Sequence, residues 1–276
     1  MRRVVLSSSR HRDYDFFLPL TAKMWQAVTG YSPLILLSHD EEHWRGSLAL
    51  EGLRHFHFPC HFIGEVEESS TILTTKLARY YAACLDIPEE DYLLLSDIDL
   101  WPLEKYWFCQ QDWDKKVHIL FANAHGYAKF PTCYVGMTVG KWREFIGSKT
   151  SSIKSALQMV VNKAWMFDID PSWSGWLSDE EFVKGDLLDF VETHDTQFIE
   201  GDYAKLRVDR AEWPQNLDLD GKVDAHLLRP GWDDKVWKEI RQIIQQKIPR
   251  YLAWADEYQE RYRDEVQSSN RLHNEA

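Results

Sequence analysis

The chain has 276 residues, with 32 Lys and Arg against 44 Asp and Glu, a net charge of −12, and 44% apolar residues. That length holds one α/β domain with a core of ordinary size, and the acidic balance excludes a general nucleic-acid binder, which needs a basic face to displace counterions. No stretch approaches the roughly 20 apolar residues that cross a bilayer. The start, Met-Arg-Arg-Val-Val-Leu-Ser, has no apolar signal core, and Cys60, Cys84, Cys109 and Cys133 are spaced too widely for a zinc site. A reduced, cytoplasmic protein without a transmembrane segment is expected.

In chain order, Val4-Val5-Leu6 reads as a buried first strand that ends in Ser7-Ser8-Ser9-Arg10. Phe16 to Thr29 carries apolar residues at helical spacing and Gly30 is a plausible stop. Pro33 to Leu37 reads as a second strand ending at Ser38-His39-Asp40, and His55 to Ile63 as a third. Ser70 to Leu85 reads as a helix with Cys84 a buried thiol, followed by a turn at Pro88-Glu89-Glu90-Asp91 and a strand at Tyr92 to Ser96. Beyond residue 110, strands are expected at Val117 to Asn123 and Thr132 to Val139, the latter antiparallel. A helix is expected at Lys149 to Phe167, an acidic loop at Asp168 to Glu181, and a long helix at Asp234 to Arg263 with a break at Pro249.

This β-α-β-α-β order predicts a mostly parallel, Rossmann-like sheet with right-handed crossovers, flanked by helices. Ligands of such sheets gather at the carboxyl ends of the strands. The three polar strand endings, at residues 7–10, 38–40 and 97–99, then converge on one edge. There Leu93-Leu94-Leu95-Ser96-Asp97-Ile98-Asp99-Leu100-Trp101-Pro102 delivers two carboxylates, one residue apart, from a hydrophobic strand. A bend before Pro102 brings both toward one metal, and hard oxygen ligands suit Mn²⁺ or Mg²⁺. Such an ion bridges the two phosphates of a nucleotide sugar and acts as a Lewis acid on the departing diphosphate.

The segment Ser70-Thr71-Ile72-Leu73-Thr74-Thr75-Lys76-Leu77-Ala78-Arg79-Tyr80, followed by Leu-Leu-Leu-Ser-Asp-Ile-Asp, resembles the donor half of the GT-A, DxD-containing glycosyltransferases. The resemblance runs in order of motifs over residues 4 to 232 and is close at residues 70 to 103. It implies a nucleotide-sugar donor, UDP-linked by expectation, with Lys76 and Arg79 on the helix face toward the nucleotide and Asp97 and Asp99 on the metal. Trp176-Leu177-Ser178-Asp179-Glu180 resembles the acceptor-side motif of glycogenin-like and lipopolysaccharide galactosyltransferase-like members, and Ala211 to Asn216 their W-N segment. Ala225-His226-Leu227-Leu228-Arg229-Pro230-Gly231-Trp232 resembles their H-x-x-G-x-K-P-W motif, which makes His226 the third metal ligand and Arg229 a phosphate contact. Arg229 occupies the glycine position of that motif, and no Lys-Pro-Trp follows. The first-strand loop of these enzymes contacts base and ribose, which assigns Ser8, Ser9 and Arg10 to the nucleotide.

Asp40, at the end of the second strand, is a candidate acceptor for the base. Asp179 or Glu180 is the candidate carboxylate for chemistry at the sugar carbon, as a base in an inverting reaction or a stabiliser in a retaining one. Ser178 with Glu181 also reads as a capping box. Trp173 and Trp176 form either a sugar-stacking platform or the packing under a loop, and Asp168-Ile169-Asp170 reads as an acidic acceptor-side loop. The expected organisation is one catalytic unit over 1–276: a donor half at 1–103, an acceptor half at 104–232, and a helical extension at 233–276 that covers the core, dimerises or holds a partner. The expected substrates are a nucleotide sugar and a hydroxyl of a glycan or glycoconjugate, transferred as a hexosyl or pentosyl group. Two alternatives are a metal-dependent nucleotidyltransferase or phosphohydrolase, the former disfavoured because Ser-Ser-Ser-Arg and no Gly-rich loop follows the first strand, the latter because the D-x-D comes near residue 97 and is followed by Leu-Trp-Pro, and a non-catalytic carbohydrate-binding module. The 13 Trp, 12 Tyr and 13 Phe fit a packed core as well as sugar stacking.

Overall fold

The computed structural model describes residues 1–109, 115–122, 132–147, 152–166, 178–214 and 217–274. Among them, eight strands form or border the main sheet: β1 (Arg2–Ser8), β2 (Ser32–Leu37), β3 (Cys60–Phe62), β4 (Tyr92–Leu95), β5 (Leu100–Pro102), β6 (Val117–Leu120), β7 (Val135–Thr138) and β8 (Thr196–Ile199). All but β5 join one seven-stranded sheet in the order β3-β2-β1-β4-β7-β6-β8. β1, β2, β3 and β4 run parallel, whereas β7 is antiparallel to both β4 and β6, as its sequence predicts. Every residue of β4 is buried, and β2 is buried from its second residue on. A parallel sheet covered on both faces selects such continuous apolar runs.

Successive residues of these strands feed opposite cores. Val4, Leu6, Ile35, Leu37 and Leu94 pack with the Leu18–Thr29 helix and the C-terminal helices. Val5, Leu34, Leu36, Leu93 and Leu95 pack on the other face with Leu73, Leu77, Trp142 and Leu187. Much of the aromatic load is structural: Trp25, Trp44, Trp101 and Trp142 are fully buried. The helix at Leu252–Asn274 lies on the first core through Tyr258 and Tyr262, with Tyr258 Oη donating to the Phe16 carbonyl at 3.0 Å. It covers this chain's own core, and Pro249 separates it from the Asp234–Lys247 helix as expected.

Three expectations are corrected. Leu48–His55 is a helix, capped by Ser47, where the sequence pattern predicts a strand beginning at His55, so the third strand shrinks to Cys60–Phe62. Leu50 and Leu53 repeat at helical spacing there, and that periodicity prevails. The expected helix from Ser70 is α-helical over Thr71–Ala78 and tightens into a 3₁₀ turn at Arg79–Cys84. The Ser178–Thr193 helix also starts inside the segment that reads as an acidic loop.

A second, unexpected sheet matters more for function. β5 pairs antiparallel with β10 (Asp224–His226), which pairs parallel with β9 (Arg207–Val208). Strands of two or three residues carry no readable alternation, so the sequence pattern is silent about them. Their register sets Leu100 opposite His226, Trp101 opposite Ala225 and Asp224 opposite Arg207.

Candidate active site

Because β1, β2 and β4 are parallel and in register, their carboxyl ends share an edge. Ser8 aligns with Leu37 and Val5 with Leu95. The Ser38 amide donates to the Ser8 carbonyl at 3.1 Å, and the Ser96 amide to the Val5 carbonyl at 3.1 Å. The polar endings that follow are therefore adjacent, as the parallel topology requires.

The Asp97–Asp99 turn is clamped from two sides. Thr21, on the Leu18–Thr29 helix, donates to the Ile98 carbonyl at 2.6 Å and accepts from Trp101 Nε1 at 2.8 Å. The Leu227 amide, just past β10, donates to the Asp99 carbonyl at 2.9 Å. The two carboxylates then meet different partners. Asp97, with 41% of its side chain exposed, pairs with Arg79, which is buried and whose Nε also donates to the Lys76 carbonyl at 3.3 Å. Asp99, only 5% exposed, receives Arg210 Nη1 on its Oδ2 at 2.7 Å, and the same oxygen lies 3.5 Å from His226 Nε2 and 3.7 Å from Arg229 Nε. Asp209 stands 3.6 Å from the other ring nitrogen of His226.

The short sheet explains this gathering. Asp99 directly precedes β5, His226 ends β10 opposite Leu100, and Asp209 and Arg210 follow β9. Burial raises the cost of charge on Asp99, yet the hydrogen bond and charge of His226 and the charges of Arg210 and Arg229 hold its carboxyl below the ordinary range. Burial likewise opposes protonation of His226, and its hydrogen bonds to Asp209 and Asp99 outweigh it, leaving the imidazole pKa raised. The bond from His226 takes Asp209 down to about 2. The carboxyls of Asp99 and Asp209 are thus both held below their ordinary range by the hydrogen bonds and charges that face them.

The remaining sequence candidates spread along the same edge. Ser8 is buried at the end of β1, its hydroxyl donating to the Ser9 carbonyl at 2.9 Å, and Ser9 is half-buried. Arg10 is exposed and donates to the His43 carbonyl at 2.8 Å. Asp40 caps the Glu41–Trp44 turn, accepting from the His43 amide at 2.9 Å. Lys76 is half-buried on the Thr71–Ala78 helix. Arg229 also stacks over the Tyr14 ring at 4.5 Å. Asp168, Asp170, Trp173 and Trp176 lie outside the described residues, as do the side chains of Asp179 and Glu180 on the Ser178–Thr193 helix. The sequence pattern does not single out Asp209 and Arg210. The only signal for them is their position just before the segment that resembles a W-N motif.

The sequence motifs assign Asp97, Asp99 and His226 to Mn²⁺ or Mg²⁺. Among the described residues, no group of three or more His, Cys, Asp or Glu side chains is placed to hold a metal ion. An ion on Asp99 Oδ2 has to displace Arg210 and stand against Arg229, and a guanidinium has no lone pair to offer as ligand. This arrangement does not fit a ready divalent site.

The fold is similar to that of known glycosyltransferases. The apo form of the glycosyltransferase GlyE of Streptococcus pneumoniae TIGR4 superposes with a TM-score of 0.50 at 10% identity, over 91% of this chain and 64% of that one. The galactosyltransferase LgtC in complex with donor and acceptor sugar analogues gives 0.48 at 14% identity, over 90% and 96%. Mouse xyloside xylosyltransferase 1 in its apo form gives 0.42 at 14%, over 82% and 97%. No protein-family model and no curated protein matches the chain. At these identities the likeness is one of fold, and that fold is the GT-A type implied by the sequence resemblance. No helix among the described residues is long and apolar enough to cross a membrane.

Proposed function

We propose that this chain is a glycosyltransferase that moves a sugar from a nucleotide diphosphate donor, a UDP-sugar in the first instance, to a hydroxyl of a glycan or glycoconjugate. One observation carries the reading: at the carboxyl edge of the parallel strands, where ligands of such sheets bind, Arg79, Arg210 and Arg229 are drawn together on Asp97 and Asp99. A diphosphate is the ligand whose charge and oxygen geometry such guanidinium forks suit. The GT-A fold agrees with it. A carbohydrate-binding module needs aromatic platforms and has no use for this cluster at a sheet edge.

In the transfer, the bond between the sugar C1 and the β-phosphate oxygen breaks, and its electron pair leaves with the nucleotide diphosphate. The acceptor oxygen forms the new bond to C1, and its proton passes to a base. On this reading Ser8, Ser9 and Arg10 face the nucleoside, with Asp40 and Lys76 flanking it. Asp179 or Glu180 is the carboxylate on the acceptor side, and Trp173 and Trp176 are its stacking surface. No step here is assigned to a divalent ion, because the residues around Asp99 do not form a ligand set for one.

The test is a panel of sugar nucleotides scored for nucleotide release with and without mixed oligosaccharide acceptors. The reading expects one nucleotide class to be cleaved, faster with acceptor present. A panel in which no sugar nucleotide is bound, by thermal shift, or cleaved rejects it.

A further inference from the structure

We propose that the stacked imidazoles of His39 and His43, at the carboxyl end of β2, form the shelf on which the nucleobase of the donor lies. The inference rests on the nucleotide-sugar reading and names the surface that holds its base.

The shelf is built at a backbone position that disfavours a side chain. His39 has a φ of 66°, in the left-handed region that glycine occupies at no steric cost. Gly64 closes the turn from the other side, its amide donating to the His39 carbonyl at 3.2 Å. A glycine at position 39 satisfies the same backbone, so an imidazole kept there points to a use for the ring. The ring is held in two places. Its Nε2 lies 3.2 Å from the hydroxyl of Thr71, the first residue of the helix that carries Lys76. Its centroid lies 4.3 Å from that of the His43 ring, with the two planes 27° apart. His43 is fixed in turn through its backbone: its amide donates to Asp40 Oδ1 at 2.9 Å, and its carbonyl accepts from Arg10 Nη1 at 2.8 Å.

The outer ring is open and uncharged. His43 is exposed, and among the described residues His39 is the aromatic partner of its ring. Partial burial, His39 and the charge of Arg10 hold the His43 imidazole below its ordinary range, with Asp40 acting against them, so the ring is neutral at pH 7. A flat, neutral ring backed by a second one suits a nucleobase, whose π-face stacks on aromatic side chains. The location favours a base over a free sugar. β2 neighbours β1 and β1 neighbours β4, so the shelf stands two strand spacings, about 10 Å, from the turn that carries Asp97. A diphosphate at that turn and a base on the shelf leave the interval beside Ser8 and Ser9 to the ribose.

The experiment is calorimetric binding of UDP, GDP, ADP and inorganic pyrophosphate to the full chain and three variants, with melting temperatures in parallel and the histidine ring protons followed by NMR. One nucleoside diphosphate is expected to bind the parent and to shift the His43 ring protons upfield. His43→Ala and His39→Gly are each expected to weaken that nucleotide at least about fivefold, the low end of stacking on one base. Pyrophosphate binding is expected to change less than about twofold in both. His43→Phe keeps a flat face without ring nitrogens and is expected to stay within about twofold of the parent for the nucleotide. His39→Gly relieves the left-handed position and is expected to melt no lower than the parent, which separates loss of the shelf from loss of the fold. Should it melt lower, His43→Ala, a change on an exposed side chain, carries the comparison.

A nucleotide that binds the parent and both truncated variants equally overturns the shelf and leaves the nucleotide-sugar reading standing. So does a loss that pyrophosphate shares in full or that His43→Phe fails to recover. If none of the three nucleotides binds the parent, the donor reading itself fails and the shelf with it.

Discussion

Asp99 and Arg210, separated by 111 positions in the chain, meet at 2.7 Å beside β5. The contact ties the turn after β4 to the segment after β9, so the candidate site exists only once the chain has folded. Its strength is testable apart from any activity. Arg210→Met leaves a carboxylate that is 5% exposed with poorer compensation, and is expected to cost about 1–3 kcal/mol in urea unfolding at neutral pH. Asp99→Asn combined with Arg210→Met is expected to cost less than the sum of the two single changes. Strict additivity counts against an energetic pair.

How much of this is readable in the sequence follows from where each residue sits. Asp97 and Asp99 announce themselves because four apolar residues precede them, and a buried strand that ends in carboxylates is a local signal. The edge on which they lie follows from the βαβ order. Arg210 gives no such signal. Its partner is fixed by the register of β9, β10 and β5, and strands of two and three residues leave no alternation to detect. Helical spacing puts Arg79 on the correct face, but its partner Asp97 lies 18 positions further on, past β4, and spacing along one helix does not name it. Asp40 stands out as a strand-end carboxylate, and only coordinates show it capping the turn that begins at Glu41.

Beneath the site, Arg207 and Asp224 form a second ion pair, opposite each other in the β9–β10 register. Arg207 Nε reaches Asp224 Oδ1 at 2.9 Å, Tyr134 donates to Oδ2 at 3.0 Å, and the guanidinium lies 4.2 Å from the Tyr203 ring centroid. Asp224 is fully buried. Removing one partner therefore strands a charge. Arg207→Met is expected to cost about 3–5 kcal/mol, and Arg207→Met with Asp224→Leu much less. Guanidinium denaturation distinguishes the two; equal costs for single and double variants refute the pair as the cause.

Gly231 follows the His226–Arg229 segment under tight packing. A Cβ there meets the Phe17 ring at 2.5 Å and the Phe16 ring at 2.7 Å. Both phenylalanines are fully buried, and Phe16 is hemmed in by Tyr258 and Tyr262, so the rings have little room to move. Gly231→Ala is expected to destabilise by about 1–3 kcal/mol and, by shifting Arg229, to weaken diphosphate binding. The same thermal and calorimetric measurements report both effects. Unchanged melting with unchanged binding means that the segment tolerates the displacement.

Asp15 gives a pH prediction with a definite sign. It is 4% exposed, accepts a hydrogen bond from Tyr262 on the C-terminal helix, and its pKa is raised from 3.8 to about 6. Burial is the leading cause. The Tyr262 bond and the charges of Arg10 and His11 act against it, and Glu265 reinforces it. A carboxyl with a native pKa above its unfolded one holds its proton more tightly in the folded state. Its contribution is therefore full below about pH 4 and is lost as pH rises toward about 6 and beyond. At about 1.36 kcal/mol for each unit, the loss approaches about 3 kcal/mol at pH 8. Asparagine keeps the acceptor for Tyr262 and never ionises. Asp15→Asn is thus expected to be near-neutral in stability at pH 4 and to raise the melting temperature progressively between pH 4 and pH 7. Chemical denaturation across that range measures the difference curve. A flat curve, or one that favours aspartate as pH rises, shows that Asp15 ionises in the folded chain as easily as in the unfolded one.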